Sequence, residues 1–241
     1  MSGHSKWATI KRAKGAKDAK RGAVFTKLSN LITVAARDKG GDPDTNFTLR
    51  MAIDKAKAVN MPKDNIDRAI KKGTGELEGA QIEELYYEGI GPANSQFIVK
   101  CLTDNKNRSA ANVRHLFTKF GGSLASVNWN FEQKSMISFL ASQLVELKIA
   151  KDDLELELID AGAQDIKKED EMIVVVGAMT DLQNLKQVLE SKNITTESAE
   201  IEYVAKEEIS LSEEDRAKVD TFIEALEDDE DVTDFYTNIK F

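Results

Sequence analysis

Seven basic side chains crowd one short stretch near the start of the chain: Lys6, Lys11, Arg12, Lys14, Lys17, Lys20 and Arg21, with Asp18 the single acid within residues 6–22. Lysine and arginine at this density suit one chemistry. They neutralise phosphates and release counterions without reading base sequence. Lys27 extends the set. Other chemistries have little material. Two histidines, His4 and His115, and one cysteine, Cys101, offer no His- or Cys-rich metal site and no intrachain disulfide. No Ser-His-Asp or Cys-His spacing is visible, and carboxylates are too abundant to single out a pair. These residues predict a non-enzymatic protein with no metal and no cofactor.

Weaker candidates follow. Arg68, Lys71 and Lys72 close a predicted helix, where cations also offset the helix dipole. "TDNKNRS", residues 103–109, joins a predicted strand to a helix, so free amides beside Lys106 and Arg108 could hold an anion. Turn chemistry of Asn105 and Asn107 explains the same residues. "GTGELEG" follows a helix, lacks a third glycine and any Walker Lys-Ser/Thr, and reads as a linker. "EALEDDED", residues 224–231, holds six acids in eight residues. Acids oppose the dipole at a helix C-terminus, so the helix is expected to end there in solvent. A mimic of nucleic acid folding back on the basic stretch is the alternative.

Charge is distributed unevenly. Residues 1–75 hold 17 Lys and Arg against 7 Asp and Glu, a net of +10, while residues 76–241 carry a net of −19 in a chain whose total is −9. Such polarity predicts a polyanionic partner for one part. The plainer alternative is a soluble bipolar protein with a solvated tail. No apolar run approaches the ~18 residues of a membrane span. The basic start lacks the apolar run of a secretory signal, and a mitochondrial transit peptide is the competing reading. The lone cysteine fits a reducing cytoplasm.

The elements that must position these residues fall into three groups. On a 3.6-residue wheel Trp7 and Ile10 share a sector with Lys14, Lys17 and Arg21, and Gly15 lowers helix propensity. The stretch has no apolar face to bury and is expected to be a frayed basic arm. Val24, Leu28, Leu31 and Ala35 then recur at helical spacing, and Gly40 and Pro43 stop that helix. Leu49, Ala52, Ile53, Ala56 and Val59 mark a second helix, and Ile66 and Ile70 a third, opened at Pro62 or Asp64 and closed at Gly73.

Residues 82–134 predict strands at "ELYYEG" and "QFIVKCLT", a helix capped by Ser109, and a strand over "SLASVNWNFE". Residues 135–207 predict the order βαββαβ, a ferredoxin-like unit. Residues 208–241 supply one helix from Ser212 and one strand, too little to bury a core alone. The expected fold is therefore α+β. An N-terminal arm and helical bundle spans 1–75. A discontinuous α+β domain is built from 82–134 plus 208–241, and a second ferredoxin-like domain, 135–207, is inserted into it.

"GHSKWATIKRAKGAKDAKRG", "GGDPDTNFTLRMAIDKAKAVNMPKDNIDRAIKKG", "YEGIGP", "TDNKNRSAANVRHLFTKFGG" and "AGAQDI" closely resemble the YebC/PmpR family, to which the mitochondrial translational activator of cytochrome c oxidase is related. The resemblance spans the whole chain and is densest over residues 3–122. It implies a helical domain plus two α+β domains and a cytoplasmic regulator associated with nucleic acid, and it carries over no catalytic residues. Two departures stand out: Ala23 occupies a position that is usually basic, and "LASVNWNFE" is more compact than the family's usual turn.

Together these signals predict a non-enzymatic, nucleic-acid-binding regulator of gene expression, in the first instance a DNA-binding transcriptional regulator. A translation factor bound to RNA or the ribosome is the alternative. A protein-interaction scaffold whose basic end meets an acidic partner is a third. No membrane partner is expected.

Overall fold

The computed structural model describes residues 18–79 and 81–240, with side chains from Gly22 onward. It divides into two compact units, one running to Asn130 and resuming at Glu207, the other spanning Phe131–Lys206.

The first unit opens with α1 (Asp18–Lys39), α2 (Phe47–Ala58) and α3 (Lys63–Gly73). Leu28, Ile32, Leu49, Ile53, Ala56 and Ile66 are buried together between them. One side chain ties the first joint. Buried Asn46 accepts from the Leu49 amide at 3.0 Å, capping α2, and its Nδ2 donates to Ala35 O and Gly40 O at the end of α1. Gly40 takes a φ of +89°, the left-handed stop expected of it. Gly73 marks a close approach: a Cβ there would lie 2.7 Å from the Ala36 Cβ. Helix α1 also starts earlier than its apolar stripe. Asp18–Arg21, the end of the basic stretch, already belong to its first turn.

A four-stranded antiparallel sheet follows in the order β3-β1-β2-β8, built from β1 (Glu83–Ile90), β2 (Gln96–Thr103), β3 (Ser123–Leu124) and β8 (Val232–Thr237). Phe97, Val99 and Cys101 point from β2 into a core shared with α4 (Lys106–Lys119) and α8 (Glu213–Asp228). The C-terminal helix and strand thus complete a sheet begun well over a hundred residues earlier. Two local expectations fail. Asn105, not Ser109, caps α4, because its side chain reaches the Arg108 amide at 3.1 Å while Ser109 is turned into the core. "SLASVNWNFE" is not one strand. Glu88 Oε2 accepts from the amides of Val127 and Asn128, both at 2.8 Å, and folds them into a short 3-10 turn at Asn128–Asn130.

The second unit contains β4 (Phe131–Leu140), a short α5 (Ser142–Glu146), α6 (Lys151–Asp160), β5 (Ala163–Glu169), β6 (Met172–Ala178), α7 (Leu182–Ser191) and β7 (Ser198–Ala205). Its sheet order is β5-β6-β4-β7. Ile137, Phe139, Val175, Leu154, Leu158, Leu185 and Leu189 form its core. Leu154 and Leu158, one turn apart on α6, are buried. The two sheets share a layout but not a connectivity. In the second unit, α6 links β4 to β5 across β6. In the first, α4 links β2 to β3 across β1, so the strand equivalent to β6 comes first in the chain.

Candidate nucleic-acid interface

The basic side chains that the structure describes meet three different environments. Lys6, Lys11, Arg12, Lys14 and Lys17 lie outside the described residues. Lys20 and Arg21 are placed by their backbone in the first turn of α1. Arg68, Lys71 and Lys72 are exposed along α3 at i, i+3 and i+4, one face of a helix, with no ion-pair partner among the described residues.

Lys27 is occupied inside the fold. Its Nζ donates to the Glu227 carbonyl near the end of α8. Burial lowers its pKa, opposed by the nearby Asp229, Glu227 and Asp228 carboxylates. The contact answers the orphan carbonyls of a helix C-terminus with a cation. Three residues on, Asn30 Nδ2 donates to Leu102 O at 3.2 Å. Helix α1 is thus fastened to the sheet and to the acidic end of α8.

Lys106 and Arg108 are likewise paired. Lys106 Nζ lies 2.6 Å from Glu83 Oε2. Arg108 donates to both carboxylate oxygens of Asp231, through Nη2 at 2.8 Å and Nε at 3.3 Å, and also reaches Asp104 at 3.0 Å. The hydrogen bond and charge of Asp231 raise the Arg108 pKa further. The start of α4 holds a protein carboxylate where the sequence suggested an external anion.

Helix α8 ends within the acidic segment as expected, at Asp228, and Glu224, Asp228 and Glu230 are exposed, but the segment's last carboxylate turns inward. Asp231 is 3% exposed and receives Arg108. Asp229 accepts from Asn112 Nδ2 at 3.3 Å and from the Asp231 amide at 2.9 Å. The Asp231 carbonyl accepts from the Leu102 amide. Lys27 from α1 and Arg108 and Asn112 from α4 converge on residues 227–231. Sequence reasoning missed this clasp because its members lie some 120 to 200 positions apart, as in the Arg108–Asp231 and Lys27–Glu227 pairs.

Cys101 lies beneath the clasp, 0% exposed. Burial pushes its thiol up to about 12, with the Ser109 hydroxyl acting the other way. Against an ordinary value of 9.0, that cuts the thiolate fraction at pH 8 by about a thousandfold. Iodoacetamide is expected to label the native chain at pH 8 at least about a thousand times more slowly than the urea-unfolded chain. Equal rates would contradict the buried placement. The unfolded thiol loses its proton near pH 9, whereas the folded one holds it. This contribution to stability is therefore present below pH 9 and declines as pH rises toward 12.

No cluster of three or more His, Cys, Asp or Glu suited to a metal occurs among the described residues. None of the described helices is long and apolar enough to cross a membrane.

An N-terminal helical region followed by two antiparallel sheets with their helices, the second sheet lying wholly within a segment inserted into the first unit, defines an α+β fold. Two family patterns match it: residues 5–76 match the TACO1/YebC protein N-terminal domain, and residues 82–239 match the TACO1/YebC second and third domain. The chain belongs to the TACO1/YebC family. It is 46% identical over 243 residues to a "Probable transcriptional regulatory protein" of Thermoanaerobacter pseudethanolicus, covering 100% of this chain and 97% of the relative. A protein of the same name from Thermotoga maritima is 45% identical, with 100% and 94% covered. The crystal structure of a conserved hypothetical protein from Aquifex aeolicus superposes with a TM-score of 0.77 at 38% identity, covering 98% of this chain and 97% of that one.

Proposed function

We propose that this protein is a non-enzymatic regulator of gene expression in the cytoplasm that binds nucleic acid through the phosphates, and that its first role is transcriptional. One observation carries the proposal: a net of +10 over residues 1–75 in a chain of net −9. The cations of residues 6–21 and the exposed Arg68, Lys71 and Lys72 supply the contacts, and the acidic remainder keeps the charge directional. The names of the bacterial relatives agree with a transcriptional role.

A ribosome-bound role in translation is the second reading. Lysine-rich contacts recognise phosphates in any geometry, and structured RNA offers them as readily as a promoter.

A salt titration tests the proposal. Contact with Z phosphates makes log affinity fall with log salt at a slope of about −0.9Z on duplex DNA and about −0.7Z on single strands. A flat profile on DNA and RNA alike would end the nucleic-acid reading. Sedimentation of a lysate with and without nuclease then separates the two roles: migration with ribosomal particles at moderate salt favours translation, and a footprint on DNA without it favours transcription.

A further inference from the structure

We propose that the solvent face of α4 is a second phosphate-contact surface, so that the chain grips one nucleic acid at two places. The proposal rests on the nucleic-acid reading above and locates a part of the interface away from the basic arm.

Helix α4 is a charge anomaly. Its 14 residues hold four Lys and Arg and no Asp or Glu, inside a segment, residues 76–241, of net −19. Two of the four are satisfied internally, Lys106 by Glu83 and Arg108 by Asp231 and Asp104. The other two, Arg114 and Lys119, are exposed, as is His115, and none of these three has an ion-pair partner among the described residues.

Their spacing makes a stripe. Ala111, Arg114, His115 and Thr118 follow i, i+3, i+4 and i+7, and all four are exposed. Lys119 flanks them with its Nζ 5.3 Å from the Phe120 ring centroid. Beside the cations on the exposed face stand small or neutral side chains, Ala111 and Thr118, and α4 itself carries no carboxylate to repel a sugar-phosphate backbone. From Asn107 to Lys119 the helix rises about 18 Å, the axial length of about five phosphates of one strand.

The stripe is held rigidly. Val113 and Phe117, on the opposite side of α4, are buried at 0% exposure. Asn112, bonded to Asp229, marks the flank facing the acidic segment. Arg114 lies about 200° around the helix from Asn112, well away from those carboxylates, while Lys119, seven residues on, shares Asn112's flank about 10 Å further along the axis. The same segment holds Lys27 of α1 through Glu227. Nine residues before Lys27, about 14 Å along α1, lies Asp18, where the basic stretch enters the helix. One clasp thus sets both basic elements on a common frame, and two weak contacts on one polyanion reinforce each other.

The test uses the full chain and a fluorescent DNA duplex of about 30 base pairs, read by anisotropy across a salt series, with single-stranded RNA as a second probe. The double variant Arg114→Gln, Lys119→Gln is expected to flatten the duplex slope by about 1.8 and to weaken binding at least about tenfold at 100 mM salt. Ala111→Glu, which places a carboxylate on the stripe, is expected to weaken binding comparably. Lys148→Gln with Lys168→Gln removes the same charge from the inserted domain and is expected to leave the slope unchanged. Thermal midpoints matching the parent exclude unfolding as the cause. A parent slope of zero defeats the nucleic-acid reading itself. A steep parent slope that both stripe variants retain defeats the α4 surface and leaves that reading standing. Equal losses in the stripe and control variants defeat the α4 surface too, because they reduce the effect to net charge.

Discussion

Deletion of residues 1–17 is expected to weaken binding to duplex DNA by roughly two to four orders of magnitude at 100 mM salt. The deletion removes Lys6, Lys11, Arg12, Lys14 and Lys17 and leaves α1 whole from Asp18. With five fewer phosphates neutralised, the slope becomes shallower by about 4.5. The contrast is Lys27, which belongs to the same basic region by sequence. Its ammonium is bonded to the Glu227 carbonyl, so Lys27→Met is expected to keep the parent's salt slope while lowering the thermal midpoint. Anisotropy titrations on the three proteins decide the matter. A truncated chain with the parent's slope would remove the arm from the interface. A Lys27→Met slope shallower by about one would return Lys27 to it.

Phe222→Ala is expected to destabilise the first unit by about 3–5 kcal/mol. Phe222 is 0% exposed on α8, and its ring centroid lies 5.1 Å from Phe97 of β2, 5.0 Å from Phe117 of α4 and 5.6 Å from Phe120. The edge-on pairs with Phe97 and Phe117 add about 0.5–1.5 kcal/mol each beyond buried area. The substitution opens a cavity where the C-terminal helix meets the sheet it completes. Cys101 lies in the same core and reports its opening. Iodoacetamide labelling of Cys101 is expected to accelerate by roughly a hundred- to several-thousandfold, the factor equivalent to that loss. Phe222→Leu is expected to give a much smaller acceleration. Unchanged labelling in Phe222→Ala would mean that α8 contributes little to holding this sheet closed.

Much of the architecture was legible because it is written in local periodicity. Leu28, Leu31 and Ala35 announce α1 whatever they pack against, and Pro62 opens α3 through backbone geometry alone. The inserted domain could be read as βαββαβ because each of its elements carries its own apolar pattern. Even the discontinuous domain had a sequence signal: a final helix and strand too short for a core had to join another sheet, and β8 pairs with β2. Local competition limited this reading. At α4 both Asn105 and Ser109 can cap a helix, and only the burial of Ser109 against β2 decides between them. At "SLASVNWNFE" the alternation suggests a strand, but Glu88 of β1 draws the chain into a turn.

By itself, the sequence determined the uneven distribution of charge along the chain, the order and kind of most elements, and the family. All three depend on composition or on neighbours a few positions apart. Tertiary structure alone decided which cations are available. Lys27, Lys106 and Arg108 look the same in sequence as Arg114 and Lys119, yet the first three meet Glu227, Glu83 and Asp231 across the fold while the last two face solvent. The reason is electrostatic: a cation beside a fixed carboxylate or carbonyl is already neutralised, and only the folded chain brings those distant partners within hydrogen-bonding reach.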